Sequence, residues 1–226
     1  MFQMSITAQG PAAGPSASPQ ARSIAPMPAR LPPHAAGMRV GLFGGTFNPP
    51  HDGHRLASLI ALKRLGLDAV WWLVTPGNPL KENSGLPPLD VRMAAARRIA
   101  DHPRIHVTGL EAEIGTRYTY DTVRYLTQRY RQVRFVWIMG ADNLAGFHRW
   151  QRWRDIAEMI PIAVIDRPKS TLKASHSRTA SYLFGNRLDE SDGRLLAIAR
   201  PPAFIFLHGP RSETSSTALR QAGKTL

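Results

Sequence analysis

The sequence contains no cysteine. Disulfides, thiolate metal centres, iron–sulfur clusters and cysteine nucleophiles are therefore excluded. No apolar run approaches the ~20 residues that a membrane-spanning helix requires. Acidic side chains are scarce: 16 Asp and Glu stand against 29 Lys and Arg, a net charge of +13. That excess points to an anionic partner, whether nucleic acid, an acidic membrane or a phosphorylated small molecule, and charge alone does not choose among them. The rest is ordinary for a folded protein. With 43% hydrophobic and 20% charged residues over 226 positions, overall disorder is excluded and one large domain can bury a sizeable core.

Residues 1–37 differ from the rest of the chain. They are rich in Ala, Pro and Ser and hold no Asp or Glu, with Arg22 and Arg30 as their strong charges. Such a segment buries too little apolar surface to offset its chain entropy and is expected to be a disordered tail. Arginine, serine and absent acids also suit a transit peptide, but a periodic apolar face and a continuous apolar stretch are both missing. An upstream start codon, with Met38 opening the fold, is a further origin for it.

From Met38 the pattern changes. Short apolar runs read as strands at Met38–Phe43, Ala69–Thr75, Arg104–Thr108, Arg134–Met139, Pro161–Ile165 and Ala203–Leu207. Continuous hydrophobic runs suit a parallel sheet covered on both faces. Helices are expected between them at Arg55–Leu65, Asp90–Ala100, Tyr120–Tyr130 and Asp155–Met159, and last at Ser216–Ala222. Gly66 is a natural stop for the first. Alternation of this kind predicts an α/β, doubly wound, Rossmann-like sheet with helices on both faces. Such sheets bind ligands at the carboxyl ends of their strands. Arg167–Asp192 is polar and poorly periodic and is expected to be a loop or short helices.

The first strand runs into Gly44-Gly45-Thr46-Phe47-Asn48-Pro49-Pro50-His51-Asp52-Gly53-His54. Gly44 and Gly45 permit close backbone approach to a ligand. Asn48-Pro49-Pro50 makes a rigid turn. His51 and His54, three apart at a helix entry, can face one point, and the helix N-terminus favours phosphate. Neither G-x-G-x-x-G nor the Lys-Ser/Thr ending of the P-loop is present. An isolated H-x-x-H is more often incidental or a metal pair; the double glycine and the prolines after a buried strand argue against both.

This segment resembles the T/H-x-G-H signature of the nucleotidyltransferase superfamily. Within it, the chain is similar to the bacterial nicotinate-nucleotide adenylyltransferases from about Met38 to the C-terminus. Residues 38–226 are accordingly expected to form a single nucleotidyltransferase domain. Several further motifs carry the resemblance. Thr214-Ser215-Ser216-Thr217-Ala218-Leu219-Arg220 would, alone, be a plain helix cap. Beside the first motif it is similar to I-S-S-T-x-I-R, which implies that Ser215, Ser216, Thr217 and Arg220 hold the triphosphate of ATP. Lys81, in the loop after the second strand, matches the basic residue of P-N-x-x-x-H-K, with Leu80 where the family has histidine. Arg117-Tyr118-Thr119-Tyr120-Asp121-Thr122 resembles S-Y-T-x-D-T, which implies Tyr118 and Thr119 beside the nicotinate nucleotide; Arg117 stands in place of serine. Gly140-Ala141-Asp142 resembles G-x-D at the adenosine. Phe147-His148-Arg149-Trp150 resembles F-H-x-W, which implies Trp150 stacking on the pyridine ring, while Trp153 is expected to pack inward. Asp166-Arg167-Pro168 is a weaker match, and His34, His102, His106, His176 and His208 carry no motif.

The resemblance implies transfer of AMP from ATP to nicotinate mononucleotide with release of pyrophosphate, a step of NAD biosynthesis in the cytoplasm. ATP would be bound by Gly44, Gly45, Thr46, Phe47, His51, His54, Gly140, Asp142 and the Ser215–Arg220 element. His51, His54 and Arg220 would be catalytic. Lys81, Tyr118, Thr119 and Trp150 would bind nicotinate mononucleotide. Mg²⁺ would arrive with ATP, with no metal site of the protein's own. A homo-oligomer is left open. The alternatives are a phosphopantetheine or nicotinamide-mononucleotide adenylyltransferase and, from another class, a nucleic-acid-binding module, disfavoured because the basic residues are scattered.

Overall fold

The computed structural model describes residues 29–77, 83–166, 178–210, 214 and 216–223. Its frame is a six-stranded sheet in the order β3-β2-β1-β4-β5-β6, with every pairing parallel. The strands are β1 (Arg39–Gly45), β2 (Ala69–Val74), β3 (Ile105–Thr108), β4 (Arg134–Gly140), β5 (Ile162–Ile165) and β6 (Phe204–Leu207). All six fall within one or two residues of the apolar runs in the sequence.

The strands are largely apolar because both faces are covered. Side chains alternate between two cores. Val40, Leu42, Trp71, Leu73, Phe135, Trp137 and Met139 enter one. Phe43, Val70, Trp72, Val74, Val136 and Ile138 enter the other. The second core is closed by α1 (Asp52–Arg64), α2 (Leu89–Ala100) and a 3₁₀ stretch over Glu190–Ile198. The first is closed by α3 (Leu110–Glu113), α4 (Thr119–Arg129), α5 (Ala141–Gly146), α6 (Trp153–Met159) and α7 (Arg178–Leu183). The last helix, α8, covers Ser216–Gln221. No helix among the described residues is long and apolar enough to cross a membrane.

Two local features differ from the sequence reading. Helix α1 starts at Asp52, three residues early, because His51 serves as its N-cap and Gly53 is helical. A Cβ on Gly53 would meet the His51 ring at 2.9 Å and the Thr214 carbonyl at 3.1 Å. The tail also ends sooner than expected. Residues 1–28 lie outside the described residues, but Ala29 and Leu31 pack against the first core and the Arg30 amide donates to Glu113 at 2.8 Å. His34, which carries no motif, meets Trp71 and Tyr130 edge-on with ring centroids 6.0 and 5.1 Å away. Residues 29–37 are thus part of the packed unit, since Leu31 and His34 find apolar and aromatic partners. Within Arg167–Asp192, residues 178 onward form the short helices expected there, and residues 167–177 lie outside the described residues.

The chain order reverses between β1 and β4, so a crevice opens outside their carboxyl ends. Gly44, Gly45 and the residues after Gly140 stand at that edge.

Candidate active site

A cleft of about 390 Å³ occupies this crevice. It is lined by Gly44, Gly45, Thr46, Phe47, His51 and His54 from the first motif and by Ser216, Thr217 and Arg220 from the last helix. Tyr118, Thr119, Asp142 and Trp150 also line it. Gly140 does not; it ends β4 and precedes α5 as its N-cap. Lys81 and Ser215 lie outside the described residues.

The first motif and the last helix are tied together at the cleft. Ser216 Oγ donates to the Pro49 carbonyl at 2.9 Å, and the Arg220 guanidinium donates to the carbonyl of Asn48. A second Arg220 nitrogen reaches Thr217 Oγ1 at 3.4 Å. The hydroxyls and the guanidinium therefore stand beside the turn that leads into His51.

The two histidine rings lie 3.8 Å apart, centroid to centroid. His51 is buried and His54 half-buried. The His51 backbone N–H donates to His54 Nδ1 at 3.2 Å. A nitrogen that accepts a hydrogen bond carries no proton, so the proton of the neutral ring sits on Nε2. The His54 ring is held by Phe43, Phe47 and Trp72, at centroid distances of 5.9, 4.9 and 5.9 Å. Trp72 Nε1 donates to Ser58 Oγ at 2.7 Å, and Ser58 donates on to the His54 carbonyl at 2.9 Å. Ring, tautomer and backbone are all fixed before a ligand arrives.

Phe47 lines the cleft. Its ring is buried and stacked on Trp72, 4.9 Å away with 16° between planes. Its φ of +48° is costly for a bulky residue, and the stacking offsets that strain. Gly44 has a packing reason as well: a Cβ there would sit 2.9 Å from the Trp137 indole.

Arg92 carries no motif, yet it frames the cleft from below. It is 1% exposed, and burial lowers its pKa from the ordinary arginine value. It donates to the carbonyls of Pro87 (2.8 Å), Thr46 (2.9 Å), Thr75 (2.7 Å) and Pro76 (3.2 Å). One guanidinium thereby clamps the loop after β1 to the loop after β2. Nothing in the local sequence of α2 distinguishes it from Arg97 or Arg98.

On the opposite wall, Trp150 meets Trp137 and Phe147 edge-on at 6.1 and 5.1 Å, which sets its ring angle. Trp153 is buried against Phe147 and Tyr182, as expected. Arg117 and Arg149 stand exposed at this end of the cleft and form no ion pair among the described residues. Glu111 also lines the cleft and was missed in the sequence, although its place just past the end of β3 is a signal that could have found it. Among the described residues, no group of three or more His, Asp or Glu side chains could cage a metal ion.

Residues 42–222 match the family model described as cytidylyltransferase-like. A Brucella abortus protein named as a probable nicotinate-nucleotide adenylyltransferase is 56% identical over 184 residues, covering 81% of this chain and 95% of the relative. One of the same name from Rhizobium meliloti is 57% identical over 185 residues, covering 82% and 98%.

The chain belongs to the nicotinate-nucleotide adenylyltransferases.

Membership makes it an enzyme, a nucleotidyltransferase with a Rossmann-like fold. The structure of a Plasmodium falciparum nicotinic acid mononucleotide adenylyltransferase complexed with NaAD has a TM-score of 0.61 to this chain, covering 81% of it and 83% of the neighbour. A second structure of that protein, complexed with APC, scores 0.59. At 15% identity these two neighbours show the shared fold. The family match begins at Leu42, within β1.

Proposed function

We propose that this chain transfers AMP from ATP to nicotinate mononucleotide, releasing pyrophosphate and nicotinate adenine dinucleotide. The observation that carries the reading is the convergence of the histidine motif with Ser216, Thr217 and Arg220 in one cleft, with Trp150, Tyr118 and Thr119 on its other wall.

The acceptor's own phosphate is the nucleophile. Its second pKa is about 6, so near pH 7 it is already mostly dianionic and no general base is needed. The protein's task is alignment and neutralisation of charge growing on the α-phosphate and the departing pyrophosphate. His54 Nε2–H is a preorganised donor for that charge, and His51 stands against it. Ser216, Thr217 and Arg220, with Ser215, would hold the β- and γ-phosphates, and Lys81 the acceptor phosphate. Gly44, Gly45, Thr46 and the Phe47 backbone would line the triphosphate's path, with Asp142 toward the adenosine. Attack is direct, without a covalent intermediate.

Trp150 would stack on the pyridine ring. Selection of a carboxylate over a carboxamide calls for donors without acceptors. At the start of α4 the Asp121 and Thr122 amides donate to the Tyr118 carbonyl, which leaves the Thr119 and Tyr120 amides to meet a ligand. Arg117 and Arg149 add positive field at that end.

The acids of the cleft do not cluster, and its nitrogen donors suit phosphate better than a hard cation. Such a cleft fits Mg²⁺ that would arrive with the triphosphate. When bound, Mg²⁺ would neutralise phosphate charge.

The test is product identity. Purified protein with ATP, Mg²⁺ and nicotinate mononucleotide is expected to form pyrophosphate and nicotinate adenine dinucleotide in equal amounts. ADP or free phosphate as the product would overturn the reading.

A further inference from the structure

Glu111 stands in the cleft wall, and adenylyl transfer as proposed makes no use of it. It is 5% exposed and lines the cleft together with Thr75, Thr119 and Trp137. The Thr122 hydroxyl donates to its Oε1 at 3.2 Å, and Thr122 shares a 2.9 Å bond with Thr116. The Thr75 hydroxyl also faces it. Burial raises its pKa, and the two threonine hydroxyls oppose that rise. Among the described residues it has no cationic partner.

Burying an acid without a cation is costly. A carboxyl offers about four acceptor positions, and the threonines do not fill them. The unfilled positions belong to a residue that borders the cavity. Phosphates and a nicotinate carboxylate only accept hydrogen bonds, so an acid gains nothing by meeting them. Sugar hydroxyls donate, and a vicinal diol presents two donors at the spacing of one carboxylate. Glu111 is tied through Thr122 to α4, whose first residues form the acceptor wall, whereas the triphosphate elements Ser216 and Arg220 are tied to Pro49 and Asn48.

We propose that Glu111 is a substrate-binding, specificity-determining residue that accepts hydrogen bonds from the ribose hydroxyls of the acceptor mononucleotide. This rests on adenylyl transfer to that mononucleotide and names a subsite within the same cleft.

The experiment crosses the substrate with the residue. The wild-type chain and Glu111→Met are assayed with nicotinate mononucleotide and with its 2′-deoxy and 3′-deoxy forms at saturating ATP, with 2′-deoxy-ATP as control. In the wild type at least one deoxy acceptor is expected to lose about 10- to 100-fold in kcat/KM, the scale of hydrogen bonds to a charged group. Glu111→Met should lose a similar factor on the ribose acceptor and little more on that deoxy acceptor, with KM for ATP unchanged. Glu111→Gln, which keeps one acceptor oxygen, should fall between; if the Met variant does not fold, Gln carries the same comparison. Equal wild-type rates on ribose and both deoxy acceptors, or losses from residue and sugar that simply multiply, overturn the proposal. No turnover of nicotinate mononucleotide by the wild type would instead overturn the function on which it rests.

Discussion

The His51 backbone N–H donates to Nδ1 of His54, and that bond decides which nitrogen of the second ring carries the proton. On the proposed reading the donor to the substrate is then Nε2, in a ring already clamped by Phe43, Phe47 and Trp72. His54→Ala should lower kcat by roughly 10²–10³ while the fold is retained, the loss expected for one preorganised donor to a developing oxyanion. His51→Ala should lower turnover similarly and also reduce the melting temperature, because it caps α1. Single-turnover rates alongside circular dichroism check both; near-native rates would reduce the histidines to scaffolding.

Arg92 should matter to stability and activity together. Its four carbonyl partners come from two loops, and truncation leaves them buried without donors. Arg92→Ala is expected to cost about 3 kcal/mol or more in denaturant unfolding. Arg92→Lys should recover only part of this, since an ammonium cannot span the same fork. Loss of less than about 1 kcal/mol would show that the loops hold without the clamp.

Much of this fold was legible in the sequence because both faces of the sheet are covered. Trp71, Trp72 and their neighbours form an unbroken apolar run that local pattern alone identifies. Where chemistry leaves a motif, the sequence marks residues that the fold brings to one cleft: Gly44, Gly45, Thr46, Phe47, His51 and His54, with Ser216, Thr217, Arg220, Tyr118, Thr119 and Trp150. What stayed hidden depends on tertiary partners. Arg92 looks like any exposed helical arginine until four carbonyls surround it. Glu111 sits in a helix of four residues, too short for periodicity to reveal. Leu31 is one apolar residue in a Pro- and Ala-rich stretch, and only the core it meets gives it a role.

The stretch 29–37 yields a direct comparison. A chain beginning at Met38 loses the Ala29 and Leu31 packing and the Arg30–Glu113 bond. Against one beginning at Ala29, it should melt a few degrees lower, on the order of 2–4 °C for 1 kcal/mol in a domain of this size. Turnover at 25 °C should match, because none of these residues lines the cleft. Identical melting temperatures would mean that the packing contributes nothing.

Glu190 predicts an acid-side dependence of stability. Burial raises its pKa, but the side-chain and backbone hydrogen bonds from His208, with the charges of Arg64 and His208, outweigh this and leave it lowered. The contacts are His208 Nδ1 to Oε2 at 2.9 Å, the His208 amide to Oε1 at 2.8 Å and Arg64 to Oε1 at 3.1 Å. A carboxylate with a lowered folded pKa stabilises above its unfolded value, about 4.3, and that contribution is lost as pH falls through the folded value. Glu190→Gln should therefore be less stable than the wild type at pH 7, with the gap closing below about pH 4. A gap independent of pH would assign the effect to packing.

The central claim, adenylyl transfer to an acidic pyridine nucleotide, is tested most directly by comparing acceptors in one assay. Pyrophosphate release is followed with ATP and, separately, nicotinate mononucleotide, nicotinamide mononucleotide and phosphopantetheine. A site offering donors to a carboxylate can reject the mismatched amide by several kcal/mol. The acid is expected to win in kcat/KM by at least about a hundredfold, phosphopantetheine should not react, and Trp150→Ala should weaken both pyridine substrates without reversing their order. Equal rates on acid and amide, or a preference for phosphopantetheine, would contradict the account.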